Sequence, residues 1–333
     1  MKTGKSILII ILFFSLIFSC NTGGERSVNP GEYLGQVPPG SELMLFGEGI
    51  ISNGLHNRDI TFSPDGKEIY FATAFSRYAM ILYSKFENGK WTEPETASFS
   101  GKYLDMEPFM SHDGSRIFFL STRPPEEKQD LPGWGHQNIW AADREGNTWG
   151  EPYILGPPVC TDDAEYFPSL TQDGTLYFTR SDEEGQSIYR SQPVNSGYSE
   201  PEKLGKNINT EPNPYNSCIS PDESYMLACI NEREDNFNGA DFYVFFRYED
   251  DTWSKAINIG ENINKRGNAQ SCNISPDGKY IFLSFSSWDI KDELSVPGLK
   301  LNDLKRLHNS PKNGNSDIYW IDSSFIGSLR PEK

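Results

Sequence analysis

Short apolar runs recur in pairs along this chain, and a polar tetrapeptide separates the members of each pair. Ile60 to Phe62 and Glu68-Ile69-Tyr70-Phe71 flank Ser63-Pro64-Asp65-Gly66, and Phe109-Met110 and Arg116-Ile117-Phe118-Phe119 flank Ser111-His112-Asp113-Gly114. The arrangement returns around Thr171-Gln172-Asp173-Gly174, Ser220-Pro221-Asp222-Glu223 and Ser275-Pro276-Asp277-Gly278. Asp, Gly and Pro in this order favour a tight turn, so each unit predicts two strands joined by one. A variable loop and a third strand follow (80–86, 138–143, 187–191, 242–248 and 317–322). Then come a polar turn and an aromatic residue, Trp91, Trp149, Tyr198 or Trp253. The turn aspartates are 48, 60, 49 and 55 residues apart, close to the period of four-stranded propeller blades.

The predicted fold is therefore an all-β propeller of four-stranded blades, five by repeat count. The fifth unit lacks a fourth strand after its third. A strand-like stretch within 44–51 stands where one is wanted, so the N-terminal strand is expected to complete the last blade and close the ring. The succession of apolar residue, Ser-Pro-Asp-Gly, Tyr-Phe, a later Ile-Tyr and then Trp with Pro resembles the WD40-like repeat of TolB-type β-propellers, over about 59–322. That resemblance implies six blades as the common number. Six is the alternative here, with the sixth inside 288–316. Lacking an aromatic strand pair, that segment reads instead as an insertion with a helical turn or two around Leu299, Leu301, Leu304 and Leu307.

Composition adds a compartment. Lys2 and Lys5 precede an apolar stretch over 7–18 that is too short to span a bilayer as a helix, and Ile17-Phe18-Ser19-Cys20 resembles the lipobox of bacterial lipoproteins. The expected organisation is a signal peptide over 1–19, a lipidated Cys20 with a Gly- and Pro-rich flexible tether to 41, and the propeller over 42–333. The protein is then anchored by lipid alone in a bacterial envelope, on the periplasmic or the cell-surface side. Thirty Lys and Arg against 47 Asp and Glu give a formal charge of −17, which repels phosphate backbones and argues against nucleic acid as a partner. Cys160, Cys218, Cys229 and Cys272 lack metal-ligand spacing. They read as buried apolar side chains, with a disulfide between neighbouring strands as the other reading.

Antiparallel blades put the Asp-Gly turns on one face and the loops between second and third strands on the other. Every long insertion (121–137, 231–240 and 287–316) falls on that second face, where function is expected. Asp59, Asp105, Glu107 and Glu165 enter the inner strands there. Arg58, Arg77, Arg123, Arg180 and Arg233 stand near them, with Tyr166 and Tyr215 on neighbouring inner strands. Trp134, His136 and Trp288 lie in the insertions and do not repeat with the blades, which marks them for ligand contact. The acids and arginines could bind a divalent cation or sugar hydroxyls, could do acid and base work on a glycosidic bond, or could pair with each other to hold loops. No cofactor is implied, and no HExxH, GxSxG or P-loop pattern is present. The leading expectation is a monomeric, non-catalytic binding or scaffolding lipoprotein for a protein partner or glycan. The alternative is a carbohydrate-active hydrolase or lyase using Asp59, Asp105, Glu107 and Glu165.

Overall fold

The computed structural model describes residues 29–125, 134–195, 197–290, 294–295 and 297–332, and these form a five-bladed β-propeller. Residues 1–28, with the expected signal peptide, Cys20 and the first part of the tether, lie outside the described residues. The inner, second and third strands are His56–Phe62, Glu68–Phe75 and Tyr78–Glu87 in blade 1, and Asp105–Met110, Arg116–Ser121 and Asn138–Glu145 in blade 2. They are Ala164–Leu170, Leu176–Asp182 and Gly185–Ser191 in blade 3, and Pro214–Ile219, Tyr225–Asn231 and Ala240–Phe246 in blade 4. Blade 5 has Asn268–Ile274, Tyr280–Trp288 and Asn313–Asp322, and its outer strand is the N-terminal Met44–Leu45.

That last pairing closes the ring as the repeat phase requires. Met44 and Leu45 lie opposite Trp320 and Tyr319, and the Phe46 amide continues the ladder to the Ile318 carbonyl at 2.8 Å. Phe46 is fully buried, edge-on to Phe62, Phe282 and Trp320, so blades 5 and 1 share one aromatic core. There are five blades, not six. The described residues within 288–316 carry instead a helix, Leu301–His308, and fold back on blade 1. A Cβ on Gly54 would come within 2.6 Å of the Asn309 backbone, and the Asn313 and Asn315 side-chain amides both donate to the Gly54 carbonyl. Upstream of the closing strand, Tyr33 packs its ring on Phe62, Tyr280 and Trp320, and Trp91 Nε1 donates to the Pro30 carbonyl. The segment expected as a tether is thus docked from Pro30 onward, because Tyr33 gives it an apolar anchor.

Each repeated tetrapeptide is a self-contained turn. The Ser111 hydroxyl donates to Asp113 Oδ1 at 2.6 Å and accepts the Arg116 amide, while the same carboxylate oxygen takes the Ser115 amide at 2.9 Å. Ser63, Thr171, Ser220 and Ser275 repeat this with Asp65, Asp173, Asp222 and Asp277. The hydrogen bond from Ser111 holds the Asp113 carboxyl below its ordinary range. The fourth turn position is left-handed, which suits Gly66, Gly114, Gly174 and Gly278. Blade 4 places Glu223 there at φ 60°, and its carboxylate joins Tyr177 of blade 3 to Arg247.

A second repeated feature was not visible in the residue pattern. All five inner strands carry a β-bulge at one level, and in four of them a non-glycine residue four positions before the turn's Ser or Thr is left-handed: Asp59, Glu107, Phe167 and Asn216. The bulges turn polar groups toward the axis, where they bond to the next blade. The Asp59 amide donates to Ser271 Oγ at 3.1 Å, the Phe167 amide to Glu107 Oε2 at 2.8 Å, and Asn216 Nδ2 to the Gln270 carbonyl at 2.8 Å. The axis is therefore filled and stitched. The cavity beneath this level measures about 10 Å³, room for about one water.

Candidate functional site

The four candidate acids divide into two kinds of setting. Asp105 is fully buried in blade 2, where it accepts Ser121 Oγ at 2.6 Å, Ser100 Oγ at 2.9 Å and Arg123 Nη2 at 2.9 Å. The same Arg123 nitrogen donates to the Phe99 carbonyl in the link from blade 1, and its guanidinium lies among the rings of Tyr103, Phe119 and Trp140. Blade 3 builds the same device one unit on. Glu165 accepts Thr161 Oγ1 at 2.6 Å and Arg180 Nε at 2.9 Å, and Arg180 Nη2 reaches the carbonyls of Pro158 and Val159. Burial raises both carboxyls and the arginines oppose it. Both acids stand six residues before the turn's Ser or Thr, and each ties the preceding inter-blade link to its own blade. They serve loops, and the structure keeps them apart from each other's arginines.

Asp59 and Glu107 do come together, at the axis. Arg58 Nε lies 2.8 Å from Asp59 Oδ1, and Arg58 Nη2 lies 3.8 Å from Glu107 Oε1. Both acids are buried, and burial together with the Asp59 carboxylate pushes Glu107 up to about 8 against the pull of Arg58. Burial thus favours the protonated form of Glu107, with the ion pair of Arg58 and Asp59 beside it. Asp59, Asp105 and Glu165 are thus held closely by an arginine, while Glu107 is held by the Phe167 amide with Arg58 farther off.

The remaining candidates scatter. Tyr166 OH donates to Gln186 and Tyr215 OH to Asn231, both on the second or third strand of their own blades. Arg77 is exposed in the two-residue turn of blade 1. Arg233 pairs with Asp235 at 2.9 Å under the Tyr243 ring, in a separate depression lined by Lys206, Glu232 and Lys255. Trp288 is 56% exposed and lies against Gly314, where a Cβ would come within 2.9 Å of its ring. His136, left-handed at φ 56°, gives its carbonyl to Asn138. Among the described residues, no group of three or more His, Cys, Asp or Glu is placed to hold a metal ion. The four cysteines there are free, buried thiols, with Cys218, Cys229 and Cys272 on strands and Cys160 in the link into blade 3.

Above Arg58 the insertion-rich face opens into a cavity of about 450 Å³ between blades 5, 1 and 2. Arg58 and Met106 form its floor, and Leu55, His56, Phe75, Trp134, His308 and Asn315 stand around it. Of these, the sequence had marked only Arg58 and Trp134. Phe75 was missed because the blade 1 hairpin is too short to count as an insertion. The available signal was a large aromatic residue beside Ser76-Arg77, where a turn ordinarily exposes polar side chains. The Ser316 amide donates to His56 Nδ1 at 3.3 Å, which puts the ring proton on Nε2. Burial and the nearby Arg58 lower the His56 pKa, so the ring is neutral at pH 7.

Known proteins compare with this chain through the fold. No family model and no curated protein matches its sequence. Among solved structures it is similar to TolB of Acinetobacter baumannii, at 14% identity and a TM-score of 0.46, over 81% of this chain and 57% of that one. It is similar also to a putative TolB of Agrobacterium tumefaciens, at 14% identity and a TM-score of 0.47, over 80% and 90% of the two chains. An α-L-arabinofuranosidase of Podospora anserina, solved with cellotriose, aligns over 86% of this chain and 97% of its own at 12% identity and a TM-score of 0.50. What the chain shares with such structures is the β-propeller itself, here with five blades.

Proposed function

We propose that this chain is a non-catalytic binding propeller that holds a protein partner or glycan on its insertion-rich face. One observation carries the reading. Among the described residues, eleven large apolar side chains are exposed, and seven of them (Leu55, Phe75, Trp134, Phe237, Trp288, Leu301 and Leu304) stand on that face. Exposed apolar groups gathered on one side mark an interaction surface. Asp59, Asp105 and Glu165 are each tied to an arginine, and Glu107 is buried at the axis on the Phe167 amide and does not line the open cavity, which supports binding over acid and base catalysis, where a carboxyl must exchange its proton with substrate.

A photo-crosslinking amino acid placed at Leu304 or Phe237, in cells, is expected to give defined adducts, while the same group at Lys67 in a turn of the opposite face gives none. Equal adducts from both faces, or none from either, overturn the reading. The protein acts as a monomer tethered through a lipid on Cys20 in the bacterial envelope. Cys20→Ser is expected to move it from the membrane fraction to the soluble one, and unchanged fractionation would exclude the anchor.

A further inference from the structure

We propose that the cavity above Arg58 is a binding site for an uncharged saccharide, with sugar rings against Phe75 and Trp134 and hydroxyls bonded to His56 and Asn315. This rests on the binding reading above and names the ligand class for one part of that face. Three features of the cavity select this chemistry.

The first is aromatic surface left in water. Phe75 is 78% exposed at the tip of a hairpin whose turn is only Ser76 and Arg77, and Trp134 is 49% exposed. Both line a cavity whose volume of about 450 Å³ falls within the roughly 300–1,000 Å³ in which small ligands are held. The C–H face of a pyranose covers such rings without demanding a charge.

The second is a floor and wall that offer hydrogen bonds with no net charge. The Arg58 guanidinium is compensated by Asp59 at 2.8 Å, and burial favours the neutral form of Glu107 behind it. His56 is neutral and carries its proton on Nε2, and Asn315 is an amide that gives one Nδ2 hydrogen to the Gly54 carbonyl and keeps a second donor and its oxygen for a ligand. An anion here would have to compete with Asp59 for Arg58, on a chain of formal charge −17. A cation would meet the guanidinium. A wholly apolar ligand would strip water from the imidazole and amide and leave their polar atoms unpaired. Donors and acceptors close together on an uncharged frame are what a neutral sugar presents.

The third is fixed geometry. His56 is pinned by the Ser316 amide and Asn315 by Gly54, so these polar groups from blades 1 and 5 are held before a ligand arrives. Preorganised groups spend less free energy on ordering when they bind.

The test uses the full chain in a polyoxyethylene detergent, titrated with cellotriose, xylotriose and mannotriose, and with trigalacturonate as the charged comparator. Calorimetry gives affinities and tryptophan emission reports the ring environment. At least one neutral trisaccharide is expected to bind and shift the emission, with trigalacturonate weaker. Phe75→Ala and Trp134→Ala are each expected to weaken binding about tenfold or more at unchanged Tm, and Phe75→Tyr to retain it. The proposal is overturned by no neutral binding up to roughly 10 mM, by preference for the charged trimer, or by affinity indifferent to both alanine variants. Saccharide binding lost on Trp288→Ala but kept in those two variants removes the pocket and leaves the face reading standing. Crosslinked adducts from Leu304 without any saccharide binding do the same, and the absence of both removes both.

Discussion

Arg58 faces two carboxylates of different character. Asp59 is its ion-pair partner, while Glu107, across the inter-blade boundary, is farther off and buried. The sign of the resulting pH dependence is set by the raised pKa. Burial pushes Glu107 up to about 8 from an ordinary value of 4.5, so between those limits the folded state binds the extra proton. Stability from this residue is full below about pH 4.5, declines as pH rises through about 8, and is level above. Glu107→Gln keeps an oxygen for the Phe167 amide and cannot ionise. Its stability relative to the parent is therefore expected to improve between about pH 4.5 and pH 8, by on the order of 4 kcal/mol in urea titrations, and to stay level above that. A difference that stays flat over this range would show that Glu107 ionises freely in the fold. The identity of this acid was legible in the sequence, because it opens an inner strand on the functional face. Its neutral state was not, because that depends on Asp59 of another blade and on a left-handed backbone that no side-chain pattern announces.

At the scale of the element, blades 2 and 3 each hold their incoming link with a buried acid and an arginine from the end of the second strand. Removing one partner strands the other without water. Arg123→Ala is expected to cost about 3–5 kcal/mol of unfolding free energy, since Asp105 would remain buried and uncompensated. Arg233→Ala, which breaks an exposed pair with Asp235, is expected to cost less than about 1 kcal/mol. Equal losses in chemical denaturation would refute the distinction between clamp and surface pair. The strands and turns of these blades were readable because the Ser-x-Asp-Gly unit satisfies its own backbone donors within six residues, so local sequence is enough. The five inner-strand bulges escaped notice for the opposite reason. Asp59, Glu107, Phe167 and Asn216 share no chemistry, and only their common position in a closed ring imposes the common backbone.

Closure of the whole molecule rests on a two-residue strand and the aromatic residue after it. Phe46→Ala is expected to cost about 3–5 kcal/mol, because it opens a cavity among Phe62, Phe282 and Trp320 where blades 5 and 1 meet. Hydrogen exchange should then show blade 5 opening ahead of blades 2 and 3, and a uniform loss of protection around the ring would argue against a closure latch. The docked segment ahead of that strand also sets a direction. Glu32 and Tyr33 lie against the turns Ser63–Gly66 and Pro276–Lys279, on the side away from the insertions. The described chain therefore enters the propeller at its turn side, opposite the face that carries Phe75, Trp134 and Trp288, so nothing in the docked segment from Pro30 to Tyr33 obstructs that face.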